Sequence, residues 1–227
     1  MAAQNTTSLV RIGIWALPLG ALLVLIGLLS GLGAPDPEND PTGAAQAAST
    51  TAYFLTQFLG NLLGPTLVLF GLLALFAYLV NTRVGRLASL AMVLSVLGIC
   101  MILSFLGLVT YAIPALSQGY LNGQQDALQL VGNVFSQAFA INLLGSLLYF
   151  VGFVLFGVAI WRFETLPKWA GALLGIAGLL LAVPVETEIL SILGSIVLVI
   201  AGAWVSLGVL RQPSAQSAPA EAQTRVR

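Results

Sequence analysis

Four carboxamide side chains are the strongest candidates for chemistry in this sequence: Gln57, Asn61, Gln137 and Asn142. All four lie in long uncharged segments, in what we predict to be the outer third of a membrane. Gln57 and Asn61 are four residues apart, so a helix would place them on one face. Such groups either join helices through hydrogen bonds or frame a small polar pocket open to the outside. The residue types are compatible with both alternatives.

A short repeat relates two of these side chains. The sequence Asn-Leu-Leu-Gly occurs at 61–64 and again at 142–145, and each copy is followed by a glycine seven residues after its own. A parallel duplication of a two-helix unit would produce this pattern, and it would place Asn61 and Asn142 at matching depths. Chance similarity in a chain rich in Leu and Gly is the alternative.

Several kinds of chemistry are excluded by residues that the chain lacks. It contains no His and a single Cys, Cys100. His is the commonest metal ligand and the usual general base near neutral pH, and one Cys cannot hold an iron–sulfur cluster. The only Lys, Lys168, lies between Pro167 and Trp169 in a predicted loop. We therefore expect no catalytic residue, no metal site and no cofactor.

The composition indicates an integral membrane protein. Of 227 residues, 59% are hydrophobic and only 7% are charged, whereas about 25% are charged in an average soluble domain. The eight basic and eight acidic residues cancel, so no basic surface favours a nucleic-acid partner. The partners we expect are membrane lipids and, through helix packing, other membrane-protein subunits or further copies of the chain.

The uncharged segments predict an all-α, polytopic membrane bundle of six transmembrane helices, since a spanning helix needs about 20 apolar residues. The predicted helices lie near 12–33, 54–80, 87–112, 134–161, 168–185 and 189–210. The fifth is the shortest, and Pro184 marks its end. A tight hairpin or re-entrant pair across 168–210 is the alternative for the last two segments.

The charges predict an orientation. In the six-helix arrangement every Lys and Arg falls on one side, and six of the eight acidic residues fall on the other. The positive-inside rule then places both termini in the cytoplasm, for a multi-pass protein of the plasma membrane. Residues 1–211 form the transmembrane domain, with a flexible external loop over 34–52. Residues 212–227 form a disordered cytoplasmic tail.

Glycine pairs spaced by four residues predict where helices approach one another. Small residues let helix backbones come close, which drives association where lipid removes the hydrophobic effect. The pairs are Gly27 with Gly31, Gly60 with Gly64, and Gly171 with Gly175. Contacts inside the bundle and contacts between subunits are both compatible with them.

The entry to the fifth predicted helix carries a short pattern, Leu166-Pro167-Lys168-Trp169-Ala170-Gly171, followed by Gly175 and Gly178. With the six-helix layout, it resembles uncharacterised bacterial six-helix integral membrane proteins of the domain-of-unknown-function type. The pattern covers little of the chain, and the resemblance implies no activity.

Two functions follow as hypotheses. The first is a non-enzymatic membrane protein that acts by packing, as an accessory or scaffold subunit of a membrane complex or as a homo-oligomer. The second is a small permease or channel for a neutral or lipophilic solute. No charged residue lies in the centre of any predicted span, which argues against ion-coupled transport and acid–base catalysis.

Overall fold

The computed structural model describes residues 10–31, 39–124, 126–182 and 188–211, and within these ranges the chain is helical without strands. The all-α prediction is confirmed. The helices are α1 (Ala16–Gly31), α2 (Pro41–Ala48), α3 (Thr51–Gln57), a π-helical turn (Phe58–Leu63), α4 (Gly64–Leu79), α5 (Gly85–Leu121), α6 (Asp126–Arg162), α7 (Lys168–Ala182) and α8 (Glu188–Leu210).

Five stretches of the described chain are long and apolar enough to cross a membrane. They are Val10–Ser30, Thr51–Leu79, Gly85–Leu121, Ala138–Arg162 and Ile189–Leu210. The third of these includes Cys100, which is exposed. They agree with five of the six predicted spans.

The fifth predicted span is the exception. Helix α7 has 15 residues, which gives about 22 Å of helix against a hydrocarbon thickness of about 30 Å. Pro184 and Glu186 beyond it lie outside the described residues. The partner segment α8 has 23 residues and is long enough to span by itself.

The long helices form a closed ring in chain order. Helices α3 and α4 and the π-helical turn between them form one continuous rod, Thr51–Leu79. Going round the ring, α1 packs against this rod, the rod against α5, α5 against α6, α6 against α7, and α7 against α8, which returns to α1. Each long helix therefore has its principal packing contacts with only two others among the described elements.

Large apolar side chains fill the centre of the ring. The aromatic rings of Phe153 and Phe156 on α6 are fully buried, as are Leu72 and Leu75 on α4 and Leu17 on α1. Side chains from all six ring members join them in one contiguous cluster. The buried polar side chains among the described residues are hydroxyls only. The interior is therefore packed with apolar groups and carries no described charge.

A proline and a serine close the ring between α1 and α8. Pro18 has no N–H, so it cannot donate to the carbonyl oxygen of Ile14 as an ordinary helix residue would. The single proton of the buried Ser206 hydroxyl on α8 is shared between the Gly202 carbonyl oxygen at 2.8 Å and this oxygen at 3.2 Å. The Ile14 carbonyl oxygen, which also accepts from the Leu17 N–H at 3.2 Å, thus gains a second donor across the seam.

Two predicted boundaries are corrected. The helices expected near 87–112 and 134–161 run over Gly85–Leu121 and Asp126–Arg162, 37 residues each. They continue past the apolar stretch because polar residues outside a membrane can extend a helix, and Pro114 is accommodated inside α5. Their antiparallel hairpin turns at Gly123, whose φ of 93° suits a glycine.

The predicted loop over 34–52 also differs from the structure. It contains α2, which packs against α5, so a wholly flexible loop is wrong for 41–48. Asp40 begins this helix by accepting a hydrogen bond from the Gly43 N–H at 2.9 Å, and Pro41 occupies the first helical turn, where its missing N–H costs nothing. Residues 32–38 and the tail predicted over 212–227 lie outside the described residues.

Candidate functional site: a carboxamide pair and a basic groove

The two carboxamides predicted to share a helix face are hydrogen-bonded to each other. The Asn61 Nδ2 donates to the Gln57 Oε1, and both side chains are half-buried. Gln57 is the last residue of α3, and Asn61 lies within the π-helical turn. The pair therefore satisfies one donor and one acceptor internally, which lowers the free-energy cost of placing polar groups among apolar ones.

The π-helical turn has a local cause. Pro65 cannot donate a backbone hydrogen bond, so the ordinary α-helical pattern is interrupted four residues earlier, at Asn61. The Gly64 N–H donates instead to the Leu59 carbonyl, five residues back. The Thr66 hydroxyl donates to the Leu62 carbonyl at 2.6 Å. Wide turns of this kind are rare in proteins, and those that occur often lie at functional sites. This one contains the polar pair.

Glycines hold this turn against α1. A Cβ built on Gly60 would lie 2.6 Å from the Gly27 Cα, and one on Gly64 would lie 2.7 Å from the Val24 Cγ2. The predicted packing residues Gly27, Gly60 and Gly64 thus meet in one seam inside the bundle. The contacts of Gly31, the partner predicted for Gly27, lie outside what the structure describes.

Only one residue of the third glycine pair, Gly171, lies in a close contact between helices. A Cβ on Gly171 would lie 2.5 Å from the Gly157 carbonyl oxygen, so α6 and α7 are in close contact there. A Cβ on Gly175 would find its nearest atom, the Val154 Cα, at 3.9 Å, which is ordinary contact. Gly175 therefore tolerates a methyl group where Gly171 does not.

Asn61 and Asn142 lie in different seams. Asn142 is half-buried on α6, and α6 packs against α5 and α7, whereas the π-helical turn packs against α1 and α5. The two asparagines are thus on helices without a packing interface between the described elements. Gln137 lies on α6 too, but its side chain is outside the described part of the chain. The arrangement brings together Gln57 and Asn61 only.

In the sequence, the basic residues were used only to predict orientation, and a cluster of arginine side chains was not predicted. Arg83 and Arg86 border a groove of about 460 Å³ with Arg162, and Val84 and Leu87 complete its lining. The groove lies where the turn after α4 and the start of α5 meet the end of α6. The positions of these arginines could have indicated the cluster, because Arg83 and Arg86 flank the start of one helix and Arg162 ends the next.

Arg83 is held in place in this groove. Its Nη2 donates to the Arg162 carbonyl oxygen at 2.6 Å and to the Glu164 Oε1 at 2.9 Å. The first bond caps the carboxyl end of α6, where backbone oxygens lack helical partners. The hydrogen bond from Arg83, together with its positive charge, holds the pKa of the exposed Glu164 carboxyl below its usual value.

The carboxamide pair and the basic groove offer groups that can bind a ligand. In the described ranges, no three His, Cys, Asp or Glu residues lie close enough to hold a metal ion. The carboxamide pair offers neutral hydrogen bonds, and the groove offers guanidinium groups that favour anions. No family model, no curated protein and no solved structure matches this chain.

Proposed function

We propose that this chain is a non-enzymatic integral membrane protein that acts by packing, as an accessory or scaffold subunit of a membrane complex or as a homo-oligomer. The observation that carries the proposal is the filled interior. Phe153, Phe156, Leu72 and Leu75 are fully buried at the centre of the ring, where a transporter needs a passage or a site lined by polar groups.

The proposed topology is six spans in the plasma membrane with both termini in the cytoplasm. Helix α7 fits as a sixth, short span because it packs between α6 and α8, which run side by side with it. The ends of the helices support the orientation. Arg83 and Arg86, Arg162, Lys168 and Arg211 lie at one end of the bundle, the basic end, and Asp40 and Asp126 lie at helix starts towards the other end.

A surface for a partner supports the scaffold role. Helices α5 and α6 have 37 residues each, about 55 Å of helix, so about 25 Å extends past a hydrocarbon layer of about 30 Å. Tyr111, Leu121 and Leu130 are exposed on this hairpin, by 55%, 41% and 53%. Large apolar side chains that are exposed beyond the hydrocarbon layer offer contact area to another protein.

The orientation is tested with reporter fusions at each loop. We expect a periplasmic phosphatase to be active when fused within 39–50 and inactive when fused after Arg211. Activity after Arg211 would contradict an even number of spans with the amino terminus inside. A fusion after Ala182 tests α7 separately, because it is active only if that helix crosses the membrane.

The packing function is tested by extraction in a mild detergent followed by native mass measurement. We expect the chain to travel with stoichiometric subunits, either of itself or of another membrane protein. A lone monomer that carries a neutral solute into liposomes would contradict this proposal and support a permease, for which the Gln57–Asn61 pair is the candidate binding group.

The carboxamides are tested by Asn61→Leu and Asn142→Leu, singly and together. If they stabilise helix contacts, each single change lowers stability without altering solute binding, and the two effects add because the residues lie in different seams. Intact folding with lost solute binding would contradict the packing function and support a pocket.

A further inference from the structure

We propose that the groove bordered by Arg83, Arg86 and Arg162 binds the phosphate group of an anionic phospholipid, whose acyl chain lies along α5. This inference does not depend on the proposed function, because it concerns the chain's lipid ligand and not its subunits. The groove carries an excess of positive charge. Three guanidinium groups converge there, and Glu164 neutralises only one of them.

The three arginines are not equivalent. Arg83 is fixed by its bonds to the Arg162 carbonyl and to Glu164. The side chains of Arg86 and Arg162 are exposed at the groove, and two guanidinium forks facing the same space match the oxygens of a phosphate. Arg83 thus forms one rigid side of the groove, and Arg86 and Arg162 supply the hydrogen-bond donors to the phosphate.

The groove lies at the depth of lipid headgroups. Arg162 ends one apolar span, Ala138–Arg162, and the turn that contains Arg83 precedes another, Gly85–Leu121. Nearby at the same end, the rings of Trp161 and Trp169 meet edge to face with centroids 6.1 Å apart, and both residues are exposed. Tryptophans exposed in this way are typical of the boundary between hydrocarbon and headgroups.

An apolar track leads from the groove into the membrane. Leu90, Val93 and Leu97 are exposed by 52%, 56% and 50%, and their spacing places them on the same face of α5 as Arg86. A lipid with its phosphate at Arg86 would lay an acyl chain along this track. The groove itself, at about 460 Å³, has room for a phosphate and a small polar headgroup, since a water occupies about 30 Å³.

The combination favours a lipid over a free anion. A soluble phosphate would use the guanidinium groups alone, whereas a phospholipid also covers Val84 and Leu87 in the groove and the apolar track beyond it. Val84 is buried and Leu87 half-buried, so the lining supplies apolar contact directly beside the charges. The ligand class is therefore an anionic glycerophospholipid, recognised by its net negative charge, which a zwitterionic lipid such as phosphatidylcholine lacks, together with its chain.

The test uses the full chain, purified in neutral detergent, stripped of lipid and titrated with phosphatidylglycerol or phosphatidylcholine of identical acyl chains. Native mass measurement counts the bound lipids. We expect the first phosphatidylglycerol to bind more tightly than phosphatidylcholine. Arg86→Gln combined with Arg162→Gln should remove this preference, at about fivefold in affinity for each arginine. Arg83 is left unchanged because it caps α6.

The matched control is Arg211→Gln, which removes one positive charge from the basic end outside the groove. We expect less than about a twofold change in phosphatidylglycerol binding, since the charge lies outside the site. Arg86→Lys, which keeps the charge but loses the fork, should give an intermediate affinity and shows that loss of binding is not loss of folding. An equal loss with Arg211→Gln, or no preference between the two lipids in the unaltered chain, would overturn the proposal.

Millimolar inorganic phosphate separates the two possible sources of the same group. We expect it to leave the phosphatidylglycerol adduct in place, because phosphate lacks the acyl contact along Leu90, Val93 and Leu97. Displacement of the lipid by phosphate would overturn the lipid assignment and leave a free-anion site. The arginine variants thus identify the charged groups that bind, and the phosphate competition identifies the source of the anion.

Discussion

Replacing Gly60 by alanine should separate α1 from the π-helical turn. A Cβ at this position would lie 2.6 Å from the Gly27 Cα. Ordinary van der Waals contact begins at 3.4 Å, so the two backbones must move apart by at least about 0.8 Å. Backbone cannot yield as a flexible side chain can, so the shift must be shared by the whole seam, including the contact of Gly64 with Val24.

The expected cost follows from two opposing terms. Overpacking in a well-packed interior costs about 1–3 kcal/mol, and alanine is favoured over glycine in a helix by about 1 kcal/mol. The net destabilisation for Gly60→Ala is therefore about 0–2 kcal/mol relative to the unaltered chain, and about 1–3 kcal/mol relative to a glycine-to-alanine change without overpacking. Gly107→Ala on α5 is the matched control, because a Cβ there meets no atom within 4 Å. Only the helix preference remains, and the control should be stabilised by up to about 1 kcal/mol.

The assay is reversible unfolding in mixed micelles with increasing dodecyl sulfate, followed by far-ultraviolet circular dichroism. Gly27→Ala is the second arm, because its Cβ would lie 2.7 Å from the Gly60 Cα. The double variant should be non-additive by at least about 0.5 kcal/mol, since both changes open one contact. If Gly60→Ala unfolds at the same point as the unaltered chain and Gly107→Ala does too, the close approach of these helices is refuted.

Three further experiments test other parts of the structure. Ser206→Ala should cost about 0.6–1.7 kcal/mol, because it removes the bond across the α1–α8 seam, while Ser195→Ala, whose hydroxyl bonds only within its own helix, should leave the unfolding midpoint nearly unchanged; equal effects would contradict the seam. Cys100 is exposed on the apolar face of α5, so a lipophilic maleimide should label it readily and a charged thiol reagent slowly, and fast labelling by the charged reagent would indicate water at that depth. The pKa of Glu164 is lowered in the folded chain, so its pairing with Arg83 stabilises the fold at pH values above 4.5, the pKa of the unfolded carboxyl. This stabilisation is lost as the pH falls through the lower pKa of the folded chain. The difference in melting temperature between the unaltered chain and Glu164→Gln should therefore shrink as the pH is lowered below 4.5, and a difference that grows would contradict the pairing.

Much of the fold could be predicted because charge and apolar length are local properties. The uncharged runs placed all five long apolar helices within a few residues at the ends that meet charged turns, such as Arg83 and Arg162. The errors lie at the opposite ends of α5 and α6. Hydropathy falls there, and Pro114 is a residue type that usually ends a helix, yet α5 continues past it to Leu121. A helix outside a membrane also leaves no sign in a hydropathy pattern that is used to find membrane spans.

Only the part of the candidate site that is formed by residues close in sequence could be predicted. The spacing of Gln57 and Asn61 indicated their shared face, and the two side chains do bond. Pairing of Asn61 with Asn142 depended on which helices touch, and the order of helices around a ring cannot be read from residue types. Likewise, Arg83 and Arg86 marked an orientation, but their convergence with Arg162, distant in sequence, needed the hairpin of α5 and α6.

The closed ring has a consequence for how the chain is connected. Because α1 and α8 are antiparallel neighbours, joined where Ser206 meets Ile14, the start of α1 and the end of α8 lie side by side at the basic end. A short linker could join them, and the chain could be opened instead in the turn between α4 and α5. Such a circular permutant would begin with α5, enter the membrane from the same side, and keep all six seams. The chain order round the ring could therefore be changed without removing any of the packing contacts between neighbouring helices.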